Sequence, residues 1–245
     1  MGLKGKTVLI TGAARVGRVV ARALAETDMH IALTFRGSKD AAEETAESVR
    51  AEFNVRAITV QGDTTDSADI ERIVKTVSHE LGEPAALVYM ASLYNTTPII
   101  NPTDEDWQKF YDVHVKGAAR LVDALEPGMV EQGGGRVVLF ADVAAIKPYA
   151  ERGWESYLPS KGAVIALTRY LARTRAPHIL VNAIAPGPIE PPPGMSQKEI
   201  EAAAKDTLLK RWIGAEEIAK TVKFLLETDA ITGQCIAVDG GRTIL

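Results

Sequence analysis

The sequence predicts a doubly wound α/β fold built on a seven-stranded parallel sheet. Three observations predict it. Seven short apolar, β-branched runs recur along the 245 residues. Each is near-continuously hydrophobic, as a strand buried on both faces must be. Amphipathic helical stretches separate the runs, so strand and helix alternate.

In chain order, "TVLIT" (7–11) is the first strand and "GAARVGRVVARALAE" (12–26) turns into the first helix. "HIALTF" (30–35) and "RAITVQ" (56–61) are the second and third strands. In "TDSADIERIVKTVSHELG" (65–82), Ile70, Ile73, Val74, Val77 and Leu81 recur at helical spacing. Asp66 is placed to cap the start of that helix and Gly82 to end it. "ALVYMA" (86–91) is the fourth strand. Thr103 with Asp106 then forms a capping box, and Trp107, Phe110, His114, Gly117 and Leu121 share one helix face. "RVVLFA" (136–141), "ILVNAIA" (179–185) and "QCIAV" (234–238) complete the sheet. "PGPIEPPPG" (186–194) has five prolines in nine residues. Proline cannot donate to a ladder, so this is a loop. With the helical segment after it, at about 186–212, it is either a substrate lid at the carboxyl edge of the sheet or a surface excursion. No internal repeat or linker interrupts the pattern, and the chain is expected to form a single domain over 1–245.

Composition narrows the function. A net charge of -4 with interspersed charges gives no reason to expect a nucleic-acid partner. The opening "MGLKGKTVLITG" has too short an apolar run for a signal peptide. Lys6 stands where myristoylation needs Ser or Thr. No apolar run is long enough to span a membrane. Cys235 is the single cysteine, so no disulfide or metal cluster is expected. Its strand setting makes it an inert core thiol rather than a nucleophile. A cytoplasmic protein is expected.

The turn after the first strand can hold a pyrophosphate with backbone N–H groups and the helix N-terminus. Gly12 supplies the turn and Gly17 the close approach; the alternative is a glycine pair kept for packing. The second strand ends "FRGSKD", without the acid that would bond a ribose 2′-hydroxyl. Arg36 and Ser38 stand there instead, and Arg15 adds charge in the turn. A guanidinium suits a 2′-phosphate, so NADP(H) is expected over NAD. A solvated loop charge is the competing reading of Arg36. Further on, Tyr157 and Lys161 lie four apart, on one helix face. A neighbouring ammonium helps a tyrosine of ordinary pKa ~10 to work near neutral pH. Pro159 between them fits only a first helical turn. Mere packing on a helix is the bland alternative.

These motifs, in this order over essentially the whole chain, resemble the short-chain dehydrogenase/reductase family. They are "TGAARVGR", "GDTTD" (62–66), "YLPSK" (157–161), "VNAIAPGPI" (181–189) and "ITGQCIAVDGG" (231–241). The resemblance implies a Rossmann fold in which Tyr157 donates a proton and Lys161 binds the nicotinamide ribose. It implies an NADP(H) site made by Gly12, Arg15, Val16, Gly17, Arg36, Ser38, Asp63, Thr64, Ala91, Ser92, Tyr157, Lys161, Pro186, Gly187 and Ile189. Asp63 would contact adenine, and Ile189 lies in the segment that contacts nicotinamide. A small-molecule substrate is implied, and no metal. A homotetramer or homodimer is implied, through the helices of His114 and Tyr157.

The chain departs from the family pattern at four points. The glycine loop is one residue short. "YMAS" (89–92) replaces the usual "NNAG". His114 stands where an Asn supports a water chain to the Lys; it could hydrogen-bond and titrate near neutral pH, or be a satisfied core residue. Asp142 stands in place of the catalytic Ser. A Ser donates to a carbonyl oxygen as charge grows on it, whereas an ionised Asp repels that charge. Asp142 must therefore be protonated, or face a substrate with donors, or be spent on a salt bridge to Lys147 or Arg152. The pteridine reductase branch of the family carries Asp there. The chain is similar to it in "TGAAR", "DVAAIKP" and "ASLYNTTPI" (91–99), where Tyr94 matches the aromatic that stacks on the pterin. That branch implies Asp142, Tyr94 and Arg15 at the substrate. A 3-oxoacyl-thioester reductase, or another carbonyl or sugar reductase, is the alternative enzyme. A catalytically weak NADP-binding sensor is the alternative of another class.

Overall fold

The structure is a computed structural model that describes residues 2–94, 102–148, 153–192 and 194–245. All seven expected strands form: β1 (Thr7–Thr11), β2 (His30–Phe35), β3 (Ala57–Gln61), β4 (Pro84–Tyr89), β5 (Gly135–Phe140), β6 (Ile179–Pro186) and β7 (Cys235–Val238). They make one sheet in the order β3-β2-β1-β4-β5-β6-β7. Every pairing is parallel. This is a Rossmann fold. The order reverses between β1 and β4, and such a switch opens a crevice beyond the carboxyl ends of the strands.

The inner strands form because both faces are covered, while the edge strands β3 and β7 are only partly buried. All five residues of β1 and all six of β4 are buried, and each large aliphatic side chain so buried contributes about 1.5–3 kcal/mol. On one face Val8, Ile10, Ile31 and Leu33 pack with α1 (Val16–Ala25), α2 (Lys39–Glu52) and α8 (Ala215–Glu227). On the other, Leu9, Leu87, Leu139 and Val181 pack with α3 (Ser67–Leu81), α5 (Gly117–Glu131) and α6 (Tyr157–Arg175). Helix ends follow the sequence signals. The Asp66 side chain accepts from the N–H groups of Ala68 and Asp69, and Gly82 ends α3 with φ 86°. Thr103 and Asp106 form the expected capping box at the start of α4 (Asp104–Tyr111).

Two local features bear on the site. Helices α4 and α5 are joined by a π-helical turn, Asp112–Lys116, which holds His114. Helix α6 begins at Tyr157, so Pro159 lies in its first turn. After β6, the proline-rich loop leads to a short helix, α7 (Gln197–Lys205), with no buried residue. The loop is pinned from behind: Ile213 N–H donates to the Pro188 carbonyl (2.9 Å) and Gly214 N–H to that of Ile189 (3.2 Å). No helix among the described residues is long and apolar enough to cross a membrane.

Candidate active site

A cleft of about 360 Å³ opens at the carboxyl ends of β1 to β4. Its walls include Gly12, Arg36, Ser38, Asp63, Thr64, Ala91 and Ser92. The sequence had also pointed to these seven. Gly12 turns the chain out of β1 with φ 91°, a conformation that disfavours a side chain. Gly17 lies so close to the turn that a Cβ there would meet the Gly12 carbonyl oxygen at 1.9 Å. Val16 starts α1, with its side chain packed against the core. The Thr11 hydroxyl accepts from Met90 N–H and Ala91 N–H, both at 2.9 Å, and so ties the end of β1 to the loop after β4.

Asp63 lines the cleft. Burial pushes its carboxyl pKa up, but hydrogen bonds from Thr65 and the Arg36 charge outweigh that, and it lies below the usual range. Arg36 is 3.4 Å from Asp63 and mostly exposed. Arg15 does not line the cleft. Its guanidinium reaches the proline-rich loop, donating to the Glu190 carbonyl (3.0 Å) and pairing with the Glu190 carboxylate (3.4 Å). Arg15 itself takes φ 50° immediately before the helix, a position costing about 1–3 kcal/mol for a residue with a Cβ. Pro186 is the last residue paired between β6 and β7, and Gly187 N–H donates to Val238 (3.0 Å).

Beyond β5 the chain places Asp142, Tyr157 and Lys161 together. The Tyr157 hydroxyl donates to Asp142 Oδ2 at 2.7 Å, and Asp142 Oδ1 accepts from Ala144 N–H at 2.8 Å. Lys161 Nζ donates to the Phe140 carbonyl at 3.0 Å and lies 5.9 Å from the centre of the Tyr157 ring. Its complete burial lowers the ammonium pKa to about 8, while the Asp142 charge works the other way. Aromatic rings surround Tyr157. Tyr94, Trp154, Phe110 and His114 stand 5.5–5.9 Å from it, ring centre to ring centre. Tyr94 is half-exposed and leans on Trp154 at 5.4 Å.

The family model described as "Enoyl-(Acyl carrier protein) reductase" matches residues 12–243. The 3-oxoacyl-[acyl-carrier-protein] reductase FabG of Staphylococcus epidermidis is 31% identical over 242 residues, which are 96% of this chain and 98% of that protein. A short-chain type dehydrogenase/reductase of Picea abies is 28% identical over 98% of this chain and 93% of its own length. This chain belongs to the short-chain dehydrogenase/reductase family. Among solved structures, FolM alternative dihydrofolate reductase 1 from Brucella canis, complexed with NADP, superposes with a TM-score of 0.89 at 31% identity, covering 100% of this chain and 97% of that one. L-Sorbose reductase from Gluconobacter frateurii, complexed with NADPH and L-sorbose, superposes with a TM-score of 0.91 at 29% identity, covering 100% and 99%.

Set within the family, the departures acquire physical reasons. Tyr89 takes the place of the first Asn of the family's "NNAG". Its hydroxyl donates to the Val113 carbonyl in the π turn (2.6 Å) and lies 2.9 Å from Thr64 Oγ1. His114 is buried, and burial first, with the Lys161 charge second, pulls its pKa down to about 2. It is the satisfied core residue, and the expectation that it titrates near neutral pH is corrected. Lys147 is not the partner of Asp142: its ammonium donates to the carbonyls of Leu245 (2.8 Å) and Arg242 (3.3 Å). Arg152 and the segment 95–99 fall outside the described residues. Trp154 escaped the sequence reading, although an aromatic three residues before Tyr157 was in plain view. Burial raises the Cys235 thiol pKa to about 11, consistent with an inert sulfur.

Proposed function

We propose that the chain is an NADPH-dependent reductase that adds a hydride and a proton to a C=N or C=O bond of a small, flat substrate, in the manner of a pteridine reductase. The observation that carries this is the Tyr157–Asp142 hydrogen bond inside a wall of aromatic rings.

The residues present fit a phosphorylated dinucleotide. Gly12 and Gly17 leave backbone where side chains would otherwise stand, and the α1 N-terminus faces the turn, which suits a pyrophosphate. Arg36 and Ser38 replace the acid at the end of β2, which suits a 2′-phosphate. Asp63 and Thr64 border the adenine end, and Ala91, Ser92, Pro186, Gly187 and Ile189 the nicotinamide end. The reduced cofactor supplies the hydride. Arg15, held by Glu190, is positioned to hand a phosphate or substrate contact to the loop over the site.

The protein handles the proton. At rest the Tyr157 O–H is committed to Asp142. A pterin carries amino and ring N–H donors. When these satisfy the carboxylate, Tyr157 is released to donate to a ring nitrogen. Lys161 stays close enough to stabilise the phenolate that results. Tyr94 and Trp154 offer faces on which a planar ring can stack. A simple ketone brings no donors, so Asp142 would retain the Tyr157 proton and repel the growing oxyanion.

Two variants test this. Tyr157→Phe lowers turnover by about 10²–10⁴-fold, the usual contribution of a positioned acid; full retention would exclude Tyr157 as donor. Asp142→Ser lowers dihydrobiopterin turnover and raises that of a ketone probe. Unchanged pterin turnover would exclude the role given to Asp142. A second reading, reduction of a 3-oxoacyl thioester, is supported by the FabG relative. In that case Asp142 works protonated as a Ser substitute. The single cysteine, Cys235, suits a reducing cytoplasm, and the helical segments of His114 and Tyr157 are the faces proposed for a homodimer or homotetramer.

A further inference from the structure

His114 does more than fill the core. Both of its ring nitrogens are bonded, and each bond leads to a different part of the site. Nδ1 lies 2.8 Å from Ser160 Oγ, on the first turn of α6. Nε2 lies 3.1 Å from the Leu93 amide nitrogen and 2.9 Å from Ser92 Oγ, in the loop that carries Tyr94.

Counting hydrogens fixes the tautomer. The single Ser160 hydroxyl hydrogen goes to the Tyr157 carbonyl at 2.6 Å. Ser160 Oγ can therefore only accept from His114, and Nδ1 must carry a hydrogen. The Leu93 amide can only donate, so Nε2 must present its lone pair, and the Ser92 hydroxyl donates to the same atom. A second proton on the ring would set N–H against N–H at Leu93. The imidazole is thus neutral, with the hydrogen on Nδ1.

The ring stands in the π-helical turn between α4 and α5. Such single-turn insertions recur at functional sites, because they turn a side chain inward and free carbonyls. Here one freed carbonyl, that of Val113, is taken by Tyr89. From this turn the imidazole spans the Tyr94 loop on one side and, on the other, the helix turn carrying Tyr157 and Lys161. An Asn is too short to reach both.

We propose that His114 is a positioning residue that clamps the Tyr94 loop to the Tyr157–Lys161 helix turn through a fixed Nδ1–H tautomer, holding the substrate wall and the proton donor at one spacing. The proposal rests on the reading of Tyr94 as substrate wall and Tyr157 as proton donor.

The two arms can be cut separately. His114→Asn keeps a donor near the Nδ1 position and loses the bonds to Leu93 and Ser92. His114→Gln keeps an acceptor near the Nε2 position and loses the bond to Ser160. Kinetics are read with NADPH and whichever of dihydrobiopterin or an acetoacetyl thioester the wild type reduces. We expect His114→Asn to raise the substrate KM about three- to tenfold with kcat nearly unchanged, and His114→Gln to lower kcat by a similar factor with KM nearly unchanged, the size of a neutral hydrogen bond lost at one ring nitrogen, since Leu93 and Ser92 share the single Nε2 lone pair. Ser160→Ala should reproduce the Gln variant. Parallel changes in kcat and KM for both variants, or no change in either, would overturn the clamp. Imidazole nitrogen NMR of the unliganded wild type decides the tautomer without turnover: a hydrogen on Nε2, or a doubly protonated ring at neutral pH, also overturns it. Full activity of Tyr157→Phe would instead remove the donor assignment and leave the tautomer standing, so the two failures are distinguishable.

Discussion

Lys161 carries its charge where the protein penalises it. Its pKa falls from 10.5 to about 8 because the ammonium is wholly buried, with the Asp142 charge in opposition. Between those values the unfolded chain binds more protons than the folded one, so stability rises with pH across about 8 to 10.5. Below pH 8 the full penalty applies, about 3 kcal/mol at ~1.4 kcal/mol per pH unit. Lys161→Met should therefore raise the thermal midpoint at pH 7 by several degrees while abolishing turnover; a lower midpoint would contradict the burial cost. Arg36→Glu should move cofactor preference from NADPH to NADH, as the ratio of the two kcat/KM values reports. The closeness of Tyr157 and Lys161 was legible beforehand because it follows from local spacing on one helix. The partners of Arg15 and His114 were not legible. Glu190 lies 175 residues beyond Arg15, and Ser160 lies 46 beyond His114, so only the fold brings them together.

At the scale of elements, the edge strands β3 and β7 kept apolar runs although they are only partly buried, while the inner strands β1, β2, β4, β5 and β6 were legible because burial on both faces leaves unbroken apolar runs. Their ends were less so: β4 runs Pro84–Tyr89 rather than 86–91, since pairing with β1, not composition, decides where a ladder stops. The caps at Asp66 and Thr103 were readable because capping is local chemistry. The π turn was not, because "DVHVK" has no composition that demands it. The glycine turn gives the sharpest prediction here. Gly17→Ala forces a Cβ onto the Gly12 carbonyl and should cost about 1–3 kcal/mol in denaturant unfolding, the usual overpacking range. It should also weaken NADPH binding, since the turn must open to admit the methyl group. Unchanged stability and affinity would show that the turn adapts freely.

Over the whole molecule, strand order places the cleft at the β1/β4 switch and the Asp142–Tyr157 pair just beyond β5. Ties between distant segments then frame the site. Arg15 joins the glycine turn to the proline-rich loop, Arg242 joins the last turn to Asp206 after α7 (2.6 Å), and Lys147 holds the chain end beside the Asp142 loop. Family membership fixes the chemistry only as far as reductase; in the function proposed above, the Asp142–Tyr157 pair selects a substrate that brings its own donors. The most direct test is the rate of NADPH oxidation with dihydrobiopterin, measured beside an acetoacetyl thioester in the same assay. The account predicts faster turnover of the pterin. Turnover of the thioester alone would contradict it and leave Asp142 as a protonated stand-in for serine.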